Sequence, residues 1–156
     1  MLSRLHPQFF DLLFSSKAGA QKVFRDVLGL YGIDHIALNL IREDGQMLTL
    51  SSTPSLEFNL FSSELWPFDR SYNSDWFSLE TSTTWQELYE PTHFDELYYL
   101  KQLKPNLLST YCASFKMDSD FCIYSLASHS ALSEVDVYSR LSQYCCNLLL
   151  PLLQEL

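Results

Sequence analysis

The sequence predicts a single α+β domain: an antiparallel sheet of about five strands flanked by helices on both faces. Three observations predict it. Two segments of alternating apolar residues, Asp34–Ser52 and Leu107–Ser128, each fold back through a tight turn signal. Each is bracketed by stretches with helical period. Between them, Leu65–Tyr89 holds all three tryptophans, Trp66, Trp76 and Trp85, with no regular period at all. A length of 156 residues suits one domain over 1–156, and no repeat or linker interrupts it.

The elements come in this order. Pro7 suits the first turn of a helix whose apolar stripe is Phe9, Phe10, Leu12 and Leu13. After Ser15–Ala20 a second helix reaches Tyr31, burying Val23, Phe24, Val27 and Leu28, with Gly32 as its left-handed cap. One bent helix is the competing description. Ile36, Leu38 and Leu40 then share a strand face, Asp44-Gly45 reads as a two-residue hairpin turn, and Leu48 and Leu50 return inward. Pro54 opens a helix over Ser55–Leu65 that carries Leu56, Leu60 and Phe61. A short strand is placed near Thr83–Trp85, and a helix over Phe94–Lys104 is ended by Pro105.

The second hairpin pairs Leu107–Met117 with Asp120–Ser128. A two-residue turn at Asp118-Ser119 sets Cys112 opposite Ser125, Ser114 opposite Ile123 and Thr110 opposite Ala127. That face is small and polar, whereas Tyr111, Ala113, Phe115, Cys122, Tyr124 and Leu126 make the other bulky. The small face leaves room for a ligand. Finally, Ser133 with Asp136 caps a last helix whose stripe is Val137, Leu141, Tyr144/Cys145, Leu148 and Leu152. Pro151 ends or kinks it, and the surplus Leu149, Leu150 and Leu153 hint at a helical dimer interface.

The irregular aromatic stretch is too apolar for a bare loop, since each exposed ring forfeits about 1.5–3 kcal/mol. Its rings either plug one end of the core or wall a small-molecule pocket with a carboxylate to orient the ligand. Other chemistry is missing from the sequence. A net charge of −9 argues against direct nucleic-acid binding. The longest apolar run, Leu148–Leu153, is far short of a membrane span, and no signal peptide opens the chain, so a cytoplasmic protein is expected. Cys112, Cys122, Cys145 and Cys146 fit no zinc spacing and read as reduced thiols. His6, His35, His93 and His129 are scattered, with His35 read as a half-exposed strand residue. Without a phosphate loop, nucleophile elbow or metal cluster, no cofactor, no metal and no enzymatic activity are expected.

Three segments carry a resemblance. Tyr31-Gly32-Ile33-Asp34-His35 looks like the entry to the sheet, Leu50-Ser51-Ser52-Thr53-Pro54 like a strand running into a helix, and Ile123–Ser128 like a later strand, of the signal-binding domain of LuxR-type quorum-sensing regulators. The resemblance covers Tyr31 to Ser128 in order and spacing, and implies that family's PAS/GAF-like layering. It implies that Asp69 accepts the signal's amide N–H and that Ser125 supplies a strand hydroxyl; Thr110, standing where the family has a glycine, would join Ser125 at the ligand's polar centre. Trp66, Tyr72, Trp76 and Trp85 would enclose a small amphipathic signal molecule. The sequence also departs from the family. The tryptophan and tyrosine that hold a lactone ring would fall near Leu56 and Ser52, so both polar grips are missing. No helix-turn-helix follows Leu156, so the chain as it stands is not expected to read DNA. The expected function is a sensory or regulatory domain that binds an atypical ligand or acts through protein contacts, as a homodimer or with a partner regulator. The alternative is a small acidic secretion chaperone or anti-activator.

Overall fold

Two hairpins laid side by side make the sheet. The computed structural model describes residues 1–15, 18–131 and 135–154. Strand β1 is Arg4–Leu5, followed by helices α1 (Phe9–Phe14) and α2 (Ala18–Val27) and strands β2 (His35–Ile41) and β3 (Gln46–Ser51). Next come α3 (Pro54–Ser62), the short α4 (Ser74–Phe77), β4 (Ser82–Thr83) and α5 (Phe94–Tyr98). Strands β5 (Ser109–Met117) and β6 (Asp120–Ser128) precede the final helix, α6 (Val135–Gln154).

The strand order is β1-β3-β2-β6-β5-β4. The sheet therefore has six strands rather than five, and it is mixed, because β1 runs parallel to β3 with Arg4 opposite Gln46. The additional strand is β1, an edge piece of two residues too short to show alternation in the sequence, while the short strand expected near Thr83–Trp85 is β4 at the other edge. All other neighbours are antiparallel.

The second hairpin has the register its turn requires: Cys112 faces Ser125, Ser114 faces Ile123 and Thr110 faces Ala127. Asp118 supplies the left-handed turn residue at φ 56°. The first hairpin turns differently from expectation. Gly45 N–H donates to the Arg42 carbonyl (2.8 Å), Arg42 N–H donates to the Gln46 carbonyl (2.9 Å), and Gly45 sits at φ 89°. This is a three-residue loop closed by a left-handed glycine, not a two-residue turn. Helix α2 also stops earlier than Tyr31, at Val27, because Gly29 rather than Gly32 provides the first left-handed break (φ 91°).

One face of the sheet, built from Ile36, Leu38, Leu40, Leu48, Leu50, Cys122, Tyr124 and Leu126, packs against α2 and α6. The opposite face, with Ile41, Met47, Cys112, Ile123 and Ala127, meets α1, α3 and the aromatic segment. Helix α6 continues through Pro151 rather than ending there. Its core-facing row is Cys145, Leu149, Leu150 and Leu153, while Tyr144 and Leu148 are exposed. The leucines read as surplus are thus the buried ones. Both rows keep a helical period, so periodicity alone could not choose between them. The expected cap at Ser133 and the side chain of Val137 lie outside the described residues.

The aromatic segment lacks a period because it is a chain of single turns. Trp66–Phe68 and Arg70–Tyr72 are 3₁₀ turns on either side of Asp69, and α4 follows. The helix expected over Phe94–Lys104 is α-helical only to Tyr98 and then widens into a π turn over Tyr99–Leu103, with Lys104 N–H donating to the Tyr99 carbonyl (2.9 Å). Among the described residues no helix is long and apolar enough to cross a membrane.

Candidate functional site

The two 3₁₀ turns pin the backbone on either side of Asp69, and an isolated antiparallel bridge to Tyr89 fixes its height over the sheet. The Asp69 side chain is fully buried. Its Oδ1 accepts from the Ser71 hydroxyl (2.7 Å) and the Ser71 N–H (3.1 Å). Its Oδ2 accepts from the Lys101 ammonium at 2.5 Å. Lys101 is itself buried, and its Nζ lies 4.7 Å from the centre of the Trp85 ring and 5.5 Å from that of Tyr89. Both carboxylate oxygens are therefore engaged by the protein itself, and the cation is enclosed by two aromatic faces that favour it.

A second polar group completes this layer. Ser51 donates to Glu57 Oε2 (2.7 Å), and His35 Nε2 lies 3.5 Å from Glu57 Oε1. His35 Nδ1 is 3.0 Å from the Thr53 hydroxyl, and the imidazole meets the Trp85 ring edge-on at 5.7 Å. His35 is thus not half-exposed but sealed, because β6 flanks its strand and Trp85 covers its ring. Burial, reinforced by the Lys101 charge, lowers its pKa to about 3. Burial raises Glu57 to about 7, against the pull of its hydrogen bonds and of Lys101. At neutral pH the imidazole is neutral, and the contact between the two is not an ion pair.

The structure brings most of the expected residues to this layer. Ser125 lies on the same sheet face, its hydroxyl 3.8 Å from Cys112 Sγ. Cys112, opposite Ser125 in the register, packs in one cluster with Trp85 and Tyr89, whose rings enclose the Lys101 ammonium on Asp69, so Asp69 and Ser125 share one side of the sheet; burial, and then the Asp69 charge, pushes the Cys112 thiol up to about 12. Ser125 is only partly buried, so some space adjoins it. Trp85 is anchored by its indole N–H, which donates to the Tyr111 carbonyl (3.2 Å). Tyr72 is buried with its ring centre 5.0 Å from Phe61; burial and then the Asp69 and Glu57 charges push its phenol well above the usual range. Trp76 belongs to the same buried cluster, and Trp66 is partly buried against Phe61 and Tyr72.

Thr110 does something else. Its hydroxyl accepts from Trp85 N–H (3.0 Å) and donates to Gln86 Oε1 (3.1 Å), holding the Trp85 loop in place. The room expected beside the small-faced strands is largely taken by Lys101, Trp85 and Tyr89. Lys101 and Glu57 were not anticipated as site residues. A signal existed: Lys101 falls four residues after the buried Leu97, and Glu57 falls four before Phe61, so each is a charge on an apolar helical stripe. Among the described residues no cluster of three or more His, Cys, Asp or Glu side chains is placed to hold a metal.

Comparison of the whole chain with solved structures gives N-acylhomoserine lactone-dependent LuxR-family transcription factor CepR2 of Burkholderia cenocepacia, at a TM-score of 0.64 and 15% identity over 94% of both chains. The chain has the fold of a LuxR-family signal-binding domain. SdiA in complex with octanoyl-rac-glycerol shares this LuxR fold at a TM-score of 0.61 and 11% identity, over 92% of this chain and 62% of SdiA. The VqsR ligand-binding domain of Pseudomonas aeruginosa does so at 0.53 and 15%, over 90% and 87%. No protein-family model and no curated protein matches the sequence.

Proposed function

We propose that this chain is a regulatory domain on the LuxR signal-binding fold whose acceptor carboxylate is latched from within, and that it acts through protein contacts rather than by holding an acyl-homoserine lactone. One observation carries this reading: the Lys101 ammonium already occupies Asp69 Oδ2. A ligand amide N–H arriving there would have to displace a full positive charge and leave it buried without its partner. Stripping one member from a buried pair costs about 3–5 kcal/mol, whereas a hydrogen bond to a charged group returns only about 1.5–3. The exchange is unfavourable.

The partial exposure of Ser125 supports a small residual space, suited to a short amphipathic molecule that makes no demand on Asp69. Tyr144 and Leu148, exposed one turn apart on the outer face of α6, support a contact surface for a second copy or a partner regulator, which would also accommodate an anti-activator role. Calorimetric titration with octanoyl-homoserine lactone and with octanoyl-glycerol, on the wild type and on Lys101→Met, tests the latch. No saturable binding to the wild type is expected. Micromolar binding of either compound to the wild type, abolished by Asp69→Asn, refutes it.

A further inference from the structure

A second cavity, of about 750 Å³, lies on the opposite side of the sheet from the Asp69 layer. It exists because the sheet is wider than its helical cover: α6 packs over β2, β3 and β6, leaving the outer part of β5 bare. Tyr111, Ala113 and Phe115, alternate residues of β5, form its floor. Gln143 and Asn147, one turn apart on α6, present carboxamides from one wall, and Glu80 stands at the rim. Tyr124, on β6, also lines it.

Tyr124 is the decisive residue. It is 1% exposed and its ring stacks on Phe115 at 5.1 Å and 22°. Its hydroxyl is the buried side-chain group that lacks a hydrogen-bond partner among the described residues. Buried hydroxyls are nearly always paired, so an unpartnered one on a residue that lines a cavity points to an acceptor missing at that wall. The lining contains no Lys, Arg or His, its rim carries a carboxylate, and the whole chain is at −9, so an anion is disfavoured. An apolar floor set between polar walls suits a flat ring with one polar substituent better than a long alkyl tail.

We infer that this cavity is a second ligand site, for a small neutral aromatic molecule whose carbonyl accepts a hydrogen bond from the Tyr124 hydroxyl. The ring lies along the Tyr111–Ala113–Phe115 strip, and the substituent meets Gln143 and Asn147. The site does not depend on whether Asp69 is latched.

The test is an NMR titration of the full chain with 2-naphthamide, and with 2-naphthoate as its anionic counterpart. The amide should bind saturably, with ligand-to-protein Overhauser contacts to Tyr111 and Phe115, and the carboxylate at least about tenfold more weakly, since an isolated charge is costly to desolvate beside Glu80. Tyr124→Phe should weaken the amide about five- to tenfold, the usual effect of removing one hydrogen bond, and Ala113→Leu should block it. Lys101→Met should leave it unchanged. Absence of saturable amide binding, contacts to Trp85 in place of Tyr111, or equal affinity in wild type and Tyr124→Phe would each overturn the proposal. Overhauser contacts in the wild type decide the matter even if a variant fails to fold. Lactone binding at Asp69 would overturn the latch while leaving this site intact.

Discussion

Replacing Lys101 with methionine keeps the apolar stem of the side chain as far as Cε and removes the charged group beyond it. Asp69 is 0% exposed and Lys101 6%, so the loss of the ammonium leaves a carboxylate in the interior with only the Ser71 donors. Breaking a buried pair in this way costs about 3–5 kcal/mol, with the cation–π contact to Trp85 adding about 0.5–2 kcal/mol. Against a total stability of about 5–15 kcal/mol for a domain, that is a large share. For a chain of this size the combined loss corresponds to a fall in Tm of about 7–28 °C. Asp69→Asn in the same chain removes the stranded charge, and the double variant should be more stable than the sum of the two single changes predicts. Urea unfolding of all four proteins gives the coupling directly. A Lys101→Met variant within about 1 kcal/mol of wild type, well inside the ordinary range for single substitutions, refutes the reasoning, as does additivity in the cycle.

Three further outcomes are expected. Glu57, raised from 4.5 to about 7, holds a contribution present below pH 4.5 and lost as pH rises through 7, while His35, lowered from 6.5 to about 3, holds one present above pH 6.5 and lost as pH falls toward 3. The two slopes oppose each other between pH 4.5 and 6.5, so wild-type stability should be nearly level there. Glu57→Gln should gain about 3 kcal/mol relative to wild type between pH 4.5 and 8, since its competing term is gone; parallel profiles in scanning calorimetry would contradict this. Cys112 and Cys145, pushed up to about 12 and 11 by burial, should stay silent toward a disulfide exchange reagent at pH 8 until denaturant is added; rapid native reaction traced to either by mass spectrometry would show that the packing is looser than described. Gly45→Ala, at φ 89° with the Met1 and Arg4 side chains at ordinary contact distance (3.8 and 4.0 Å), should cost about 1 kcal/mol from backbone strain alone, read as a shift of the urea midpoint without change in slope.

Turn chemistry and alternation made the hairpins legible. The Asp118-Ser119 turn fixed a register, and with it the pairing of Cys112 with Ser125 and the division between small and bulky faces. Where two solutions satisfied one pattern, the sequence could not decide. Asp44-Gly45 suits a two-residue or a three-residue loop, and the rows through Leu148 and Leu149 are equally helical. The two-residue edge strand β1 is too short to carry any period. Asp69 was legible through resemblance, but its partner was not. Charged residues are so seldom buried that nothing in residue type marked Lys101 or Glu57 for the interior, and His35 read as half-exposed. Only the positions of Lys101 and Glu57 on apolar stripes pointed the other way, and recognising that requires a stripe to be trusted over the residue type.

The widened turn at Tyr99–Leu103 gives the latch a geometric origin. A π turn is what an α-helix becomes when it absorbs one extra residue, and each residue turns the remainder of the helix by about 100°. Lys101 lies inside the widened turn, so excising one residue from Tyr99–Leu103 would return that turn to α geometry and change which side chain reaches Asp69. The stopper on this carboxylate is thus seated by the local geometry of a single turn.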